Sequence, residues 1–339
     1  MLKPLSGIKL IEIQGLGPCP FSGYFLAELG AEITLVKRPQ KSKKGPPDLM
    51  EQGKTILYLD LKSEEDRETL LNLSRSFDGL IEGMRPGVME RLGLGPAEFS
   101  RFNPAFVFGR VTGWGQEGPL SHAAGHDLNY IALSGALWYS GDVKTPPLSP
   151  PTLVGDIAGG SLYLIIGILS AIIHAQKTGE GQVIDAAMVD GSAHMMNLLL
   201  SIPKGAMREE RGKSILDGPH WYNSYECQDG KFITIGSLEP QFYKQLLTAL
   251  ELDNNPEFSD QMNYRTWPRL KLQFTDIFKM KTQSEWCDIM EGTDICFAPI
   301  LSPQDAAQHE HIKFRNIYSK KGEQLKAASA PRFKPISAP

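Results

Sequence analysis

Cysteine is scarce in this chain, and the little there is follows no ligand spacing. The four cysteines among 339 residues, Cys19, Cys227, Cys287 and Cys296, are far apart and none sits in a CxxC pair. That argues against a zinc site or a redox dithiol and for reduced, buried thiols. A long hydrophobic span is lacking too. The longest apolar run, Leu162 to Ile173, reads as a buried helix because a bilayer asks for about 20 residues, so no membrane insertion is expected. Charge of one sign is not in excess either: a formal net charge of −4 calls for neither nucleic acid nor an anionic membrane. Met1 to Leu10 shows no charged-then-apolar leader, and Ile336 to Pro339 carries no peroxisomal address, so a cytoplasmic protein is expected. With 41% hydrophobic and 22% charged residues the composition is that of a globular chain, and the length suggests about two domains.

What is present is an alternation of strand-like and helix-like segments. Ile8 to Ile13 reads as a buried strand, followed by a Gly/Pro turn and a helix from about Phe21 to Leu29 that Gly30 stops. Ala31 to Val36, Thr55 to Leu59, Gly79 to Glu82 and Ala105 to Val111 are the next strands. This rhythm predicts an α/β fold with a parallel sheet. Helices are expected over Asp127 to Leu137 and Ser161 to Gln176, and another strand over Gln182 to Met188. A polar, glycine-containing stretch at 201–220 reads as a linker, and a smaller α/β domain is expected over 221–295.

Gly15-x-Gly17 after the first strand invites a dinucleotide reading. The third glycine is missing, and Lys37 and Arg38 stand where an acidic residue should close the second strand, so a nicotinamide site is not supported. Other residues offer acid/base chemistry. His126 follows Gly125, whose lack of a side chain allows close approach of a ligand, and Asp127 reads as the N-cap of the helix after it. A lone histidine in a turn can be structural or catalytic. Asp156, flanked by glycines ahead of an apolar helix, is either an N-cap or a carboxylate kept ionised by the helix start, fit to act as a base. Glu239, before Pro240, is either a cap or a carboxylate that hydrogen-bonds an imidazole and fixes its tautomer. Lys41 to Lys44 reads as a solvated loop, whereas Arg38, Arg85 and Arg91 follow strand ends and could clamp phosphates. Met188, Met195, Met196 and Met207 are either core or an adaptable apolar surface for acyl chains.

Taken together, several segments resemble one family: Leu59-Asp60-Leu61-Lys62, Arg85 to Gly93, Gly109 to Pro119, Gly125 to Tyr130, Thr178 to Asp185 and Gly236 to Phe242. They resemble the class III CoA-transferase superfamily and, within it, the α-methylacyl-CoA racemases. The resemblance implies a large Rossmann-like CoA-binding domain over 1–200, rejoined by about 310–339 through a return linker at 296–310, and an interlocked homodimer. It implies that His126 and Asp156 are the paired acid/base residues and that Glu239 supports His126. It places CoA contacts at Arg38, Leu59, Asp60, Leu61, Lys62, Gly83, Met84, Arg85, Arg91, Gly125, Asp127, Leu128, Asn129 and Tyr130. No tightly bound cofactor is implied, coenzyme A being part of the substrate thioester. Transferases of this superfamily use an aspartate at the position of Asp156 as a nucleophile and generally lack a histidine at the position of His126. The expected activity is therefore interconversion of (2R)- and (2S)-2-methylacyl-CoA by proton removal on one face and return on the other. The alternative is CoA transfer between carboxylic acids through an acyl anhydride on Asp156. A metal is not required, and backbone amides at the helix start near Asp127 are the expected donors to the enolate oxygen.

Overall fold

The computed structural model describes residues 2–39, 48–322 and 324–336. The lysine run Lys41 to Lys44 lies outside them. The chain divides into two compact units, Met1–Leu137 with Ser149–Asn197 and Ser329–Pro339, and Trp138–Leu148 with Leu198–Ala328.

The first unit begins with β1 (Lys9–Ile13), α1 (Pro18–Glu28), β2 (Glu32–Lys37), β3 (Lys54–Tyr58), α2 (Glu64–Leu73) and β4 (Gly79–Glu82). It continues with α3 (Val88–Arg91), α4 (Pro96–Phe102), β5 (Val107–Thr112) and α5 (Asp127–Leu133). A π-helical turn at Leu153–Ser161, α6 (Leu162–Thr178), β6 (Val183–Ala187) and α7 (Met188–Met195) complete it. The six strands form one sheet in the order β3-β2-β1-β4-β5-β6. Every neighbouring pair is parallel. Parallel strands covered on both faces read as apolar runs, which made the inner strands β1, β4 and β5 visible in the sequence; the edge strands β3 and β6 are mostly exposed or half-buried. The order reverses between β1 and β4, and ligands of such sheets bind outside the carboxyl ends of the strands at that switch point.

The apolar run proves longer than the sequence indicated. Leu153–Thr178 is one continuous helical stretch of 26 residues, long and apolar enough to cross a bilayer by length and composition. The expectation that the run was too short is corrected on that count. One side of α6, with Leu164, Ile165, Ile168, Ala171, Ile172 and Ala175 buried, joins a core shared with strand residues Leu10, Ile33, Ile81 and Val107. Gly179, in the left-handed conformation at φ 76°, ends it as expected.

The second unit has a three-stranded antiparallel sheet of β7 (Tyr222–Glu226), β8 (Phe232–Gly236) and β9 (Phe297–Ile300). Its helices are α8 (Pro240–Ala249), α9 (Trp267–Phe278), α10 (Gln283–Met290), α11 (Pro303–Ala306) and α12 (Glu310–Phe314), before a hairpin of β10 (Tyr318–Lys321) and β11 (Gln324–Ala327). Its core is aromatic: Trp221 and Trp267 cross edge to face at 6.0 Å, and both indole N–H groups donate to the Gln261 carbonyl at 3.1 and 2.8 Å.

Candidate active site

The carboxyl edge of the six-stranded sheet gathers most of the residues singled out from the sequence. Arg38 follows β2, is exposed, and its amide donates to Gln14 Oε1 at 3.2 Å, joining the end of β2 to the end of β1. Leu59 to Lys62 follow β3 as a turn into α2. There the Asp60 amide donates to Asp66 Oδ2 at 2.7 Å and Asp60 Oδ1 accepts from the Lys62 amide at 3.2 Å. Gly83, Met84 and Arg85 follow β4, and Arg91 ends α3, with both arginines exposed. Loop amides and guanidinium groups around one strand edge suit a phosphorylated nucleotide.

The acid/base candidates of the first unit are linked through Asp127. His126, not Asp127, is the N-cap of α5, with its amide donating to Asn129 Oδ1 at 3.0 Å and its carbonyl accepting from the amides of Asn129 and Tyr130. This corrects the sequence reading by one residue and leaves the imidazole exposed. Asp127 turns inward instead. Its buried Oδ1 accepts from the amides of Gly155 at 2.6 Å and Asp156 at 2.8 Å. One carboxylate therefore pins the segment carrying Asp156 to the residue beside His126. Asp156 itself stands inside the π-helical turn and not ahead of a helix start, so the N-cap alternative does not hold. Such turns are rare and frequent at functional sites.

The glycines here serve packing more than ligand room. A Cβ on Gly155 would come within 2.8 Å of Asp127 Oδ1. The space beside Gly125 is filled by the rings of Tyr130 and Trp114, which cross edge to face at 4.8 Å while the Tyr130 hydroxyl donates to the Gly125 carbonyl. Gly17, at φ 63°, is the exception. A Cβ built there lies 3.4 Å from Asp156 Oδ2, so the turn after β1 reaches the carboxyl of Asp156 at the switch point.

Asp156 is half-buried, and burial pushes its carboxyl above the usual range. The Thr152 hydroxyl, donating to Oδ2 at 2.9 Å, opposes the rise; Asp127 adds to it and the charge of His126 opposes it. Burial and then Asp156 raise the Tyr130 phenol, and Arg85 lowers it. Sequence reasoning missed Thr152. It holds a left-handed backbone at φ 58°, rare for a β-branched residue and strained, which no propensity would have indicated. Removing the hydroxyl by Thr152→Val should move the Asp156 carboxyl further up, so the acidic limb of the pH–rate profile should shift to higher pH. An unchanged limb would mean that the hydroxyl does not set the state of this carboxyl.

Glu239 belongs to the second unit. It is the exposed N-cap of α8, its side chain makes no capping hydrogen bond, and Gln261 Nε2 holds the two preceding carbonyls, Ser237 and Leu238, at 3.0 and 2.9 Å. A cavity of about 1090 Å³ lies wholly within that unit, lined among others by Tyr222, Gly236, Lys271 and Cys296, and contains none of the acid/base candidates. Met188 is core, Met195 and Met196 are half-buried, and Met207 falls in the second unit. Among the described residues no group of His, Cys, Asp and Glu is arranged to hold a metal ion.

A family model for CoA-transferase family III matches residues 5–336. The chain belongs to this family. The α-methylacyl-CoA racemase of Mus musculus is 40% identical over 334 residues, which cover 98% of this chain and 86% of that protein. The α-methylacyl-CoA racemase of Homo sapiens is 40% identical over 322 residues, 94% of this chain and 84% of its own length. The crystal structure of a CAIB/BAIF family protein from Brucella suis superposes with a TM-score of 0.80 at 23% identity, covering 98% of this chain and 93% of that one, and shows the shared fold. Within CoA-transferase family III this chain thus carries a histidine beside the aspartate-bearing turn at the switch point.

Proposed function

We propose that this protein is an α-methylacyl-CoA racemase, an isomerase that interconverts (2R)- and (2S)-2-methylacyl-CoA thioesters by 1,1-proton transfer. The observation that carries the reading is the pairing of an exposed imidazole with a half-buried carboxyl, tied by the hydrogen bonds of Asp127. Inversion at carbon needs one base on each face. A carboxyl raised by burial is better matched to proton transfer near neutrality than a free one. The carboxyl edge holds the nucleotide through Arg38, Arg85 and Arg91, and the thioester end reaches the switch point beside Gly17. In the forward step one base takes the α-proton as the thioester becomes an enolate; the conjugate acid opposite returns a proton to the other face. The amides of Asn129 and Tyr130 are spent on the His126 carbonyl, so the enolate oxygen is assigned to those of Asp127 and Leu128. Loss of one such donor costs about 3 kcal/mol in comparable sites. The enzyme is read as a cytoplasmic homodimer that takes CoA only as part of its substrate and does not insert in a membrane.

The test is incubation with (2R)-2-methylacyl-CoA in deuterated water. Uptake of α-deuterium with appearance of the (2S) isomer is expected. No uptake, together with an acyl–Asp156 adduct trapped by hydroxylamine in the presence of a free acid, would replace racemisation by CoA transfer.

A further inference from the structure

The segments 85–93, 109–119 and 178–185 contain charged and polar residues for which the chemistry above has no use: Glu90, Arg110, Gln116 and Asp185. One side chain connects them. Arg110 lies on β5 with 7% of its surface exposed. It is paired in register with Glu82 on β4 and Asp185 on β6. Lateral neighbours in a parallel sheet share a face, so the three form an acid–base–acid row at the carboxyl end of the strands. The Arg110 Nε lies 3.2 Å from Glu82 Oε1, one terminal nitrogen donates to Glu90 Oε1, and the other donates to Gln116 Oε1 at 3.1 Å.

Each partner in turn holds main chain. Glu82 Oε2 accepts from the Met84 amide at 2.6 Å, one residue before Arg85. Glu90 is on α3, directly before Arg91. Asp185 Oδ2 accepts from the Gln116 amide at 2.8 Å, which places the Gln116 side chain. Residues 82–91 are thus gripped on both sides of Arg85 by one guanidinium, and the two exposed arginines of the phosphate clamp hang from the gripped segment. A lysine could not reproduce this, because its single ammonium lacks the planar fork that serves several acceptors at once.

We infer that Arg110 is a positioning residue for the phosphates of coenzyme A: it fixes, through Glu82 and Glu90, where Arg85 and Arg91 present their charge, without touching the ligand. The inference rests on the carboxyl edge being the nucleotide site proposed above. Burial pushes the Glu82 carboxyl up to about 7, against the Met84 amide and Arg110, so the grip is built around a group whose charge the guanidinium must sustain.

The experiment measures binding of free CoA to the full-length protein by calorimetry, with KM and kcat for deuterium exchange, in wild type, Glu90→Gln and Arg110→Lys. Glu90 is partly exposed and its glutamine keeps the shape, so that variant folds while losing one charged contact. Its Kd for CoA and its KM should rise about tenfold, the scale of a lost charged hydrogen bond, with kcat held. Arg110→Lys should weaken binding further in the same pattern. Folded variants with wild-type Kd and KM, or with a fall in kcat alone, would overturn the positioning role; if Arg110→Lys does not fold, Glu90→Gln decides by itself. A wild-type protein that binds no CoA removes the nucleotide site along with the inference, whereas normal wild-type binding and unaltered variants remove the inference only.

Discussion

Replacing either His126 or Asp156 should lower racemisation by about 10²- to 10⁴-fold, the span that one positioned acid or base supplies. The two variants should fail differently. With His126→Ala the remaining carboxyl still faces one side of the α-carbon, so α-deuterium exchange should persist for one enantiomer and vanish for the other. Asp156→Asn, which keeps the acceptor for the Thr152 hydroxyl, should reverse that preference. Chiral analysis of thioesters recovered from deuterated water checks both. Exchange of both enantiomers at wild-type rate in either variant would rule out the two-base arrangement, and loss of both enantiomers in each would point to a shared role in binding.

The second large effect concerns stability. Glu12 is completely buried on β1, and Lys54 Nζ, also buried, meets its Oε2 at 2.5 Å while donating to the Pro20 carbonyl at 3.0 Å. Breaking a buried pair from one side leaves an uncompensated charge, so Lys54→Met should cost about 3–5 kcal/mol in denaturant unfolding. The loss should depend on pH. Burial already holds the Glu12 carboxyl up to about 7, the attraction of Lys54 notwithstanding. A carboxyl raised in the folded state favours folding fully below its unfolded value near 4.5 and loses that contribution as pH rises through about 7. Without Lys54 the carboxyl goes higher still, so the variant should be weaker at roughly pH 8 than at pH 6. Glu12→Gln added to Lys54→Met should recover much of the loss and flatten the pH dependence. A deficit equal at both pH values would show that the charge of Glu12 is not its source.

The parts legible in the sequence were those with a local cause. β1, β2 and β4 are largely apolar stretches bounded by turns, and Gly30 and Gly179 end their helices by the positive φ that glycine tolerates. Other strands lacked such a sign. β9 carries Pro299, which argues against a strand until one sees that it pairs on one side only, with β8, as proline permits at an edge. β7, Tyr-Asn-Ser-Tyr-Glu, is too polar to stand out. At the site, the residue types pointed to His126 and Asp156, but their connection runs through Asp127 to amides 28 and 29 positions away, which no spacing rule reaches. Arg110 could have been found: acidic residues at Glu82 and Asp185, placed on strands flanking its own, are what a buried arginine asks for once the strand order is known.

The division of the chain into units has a consequence for its synthesis. Its four junctions, after residues 137, 148, 197 and 328, mean that no single cut yields either unit whole. Trp138–Leu148 leaves the ribosome long before its anchors: Trp138 donates to the Glu209 carbonyl 71 positions on, and Arg211 donates to the carbonyls of Ser140, Asp142 and Thr145 from 71, 69 and 66 positions on. During translation that stretch must wait with bare carbonyls and an unplaced indole, and a fragment ending at Asn197 would wait indefinitely.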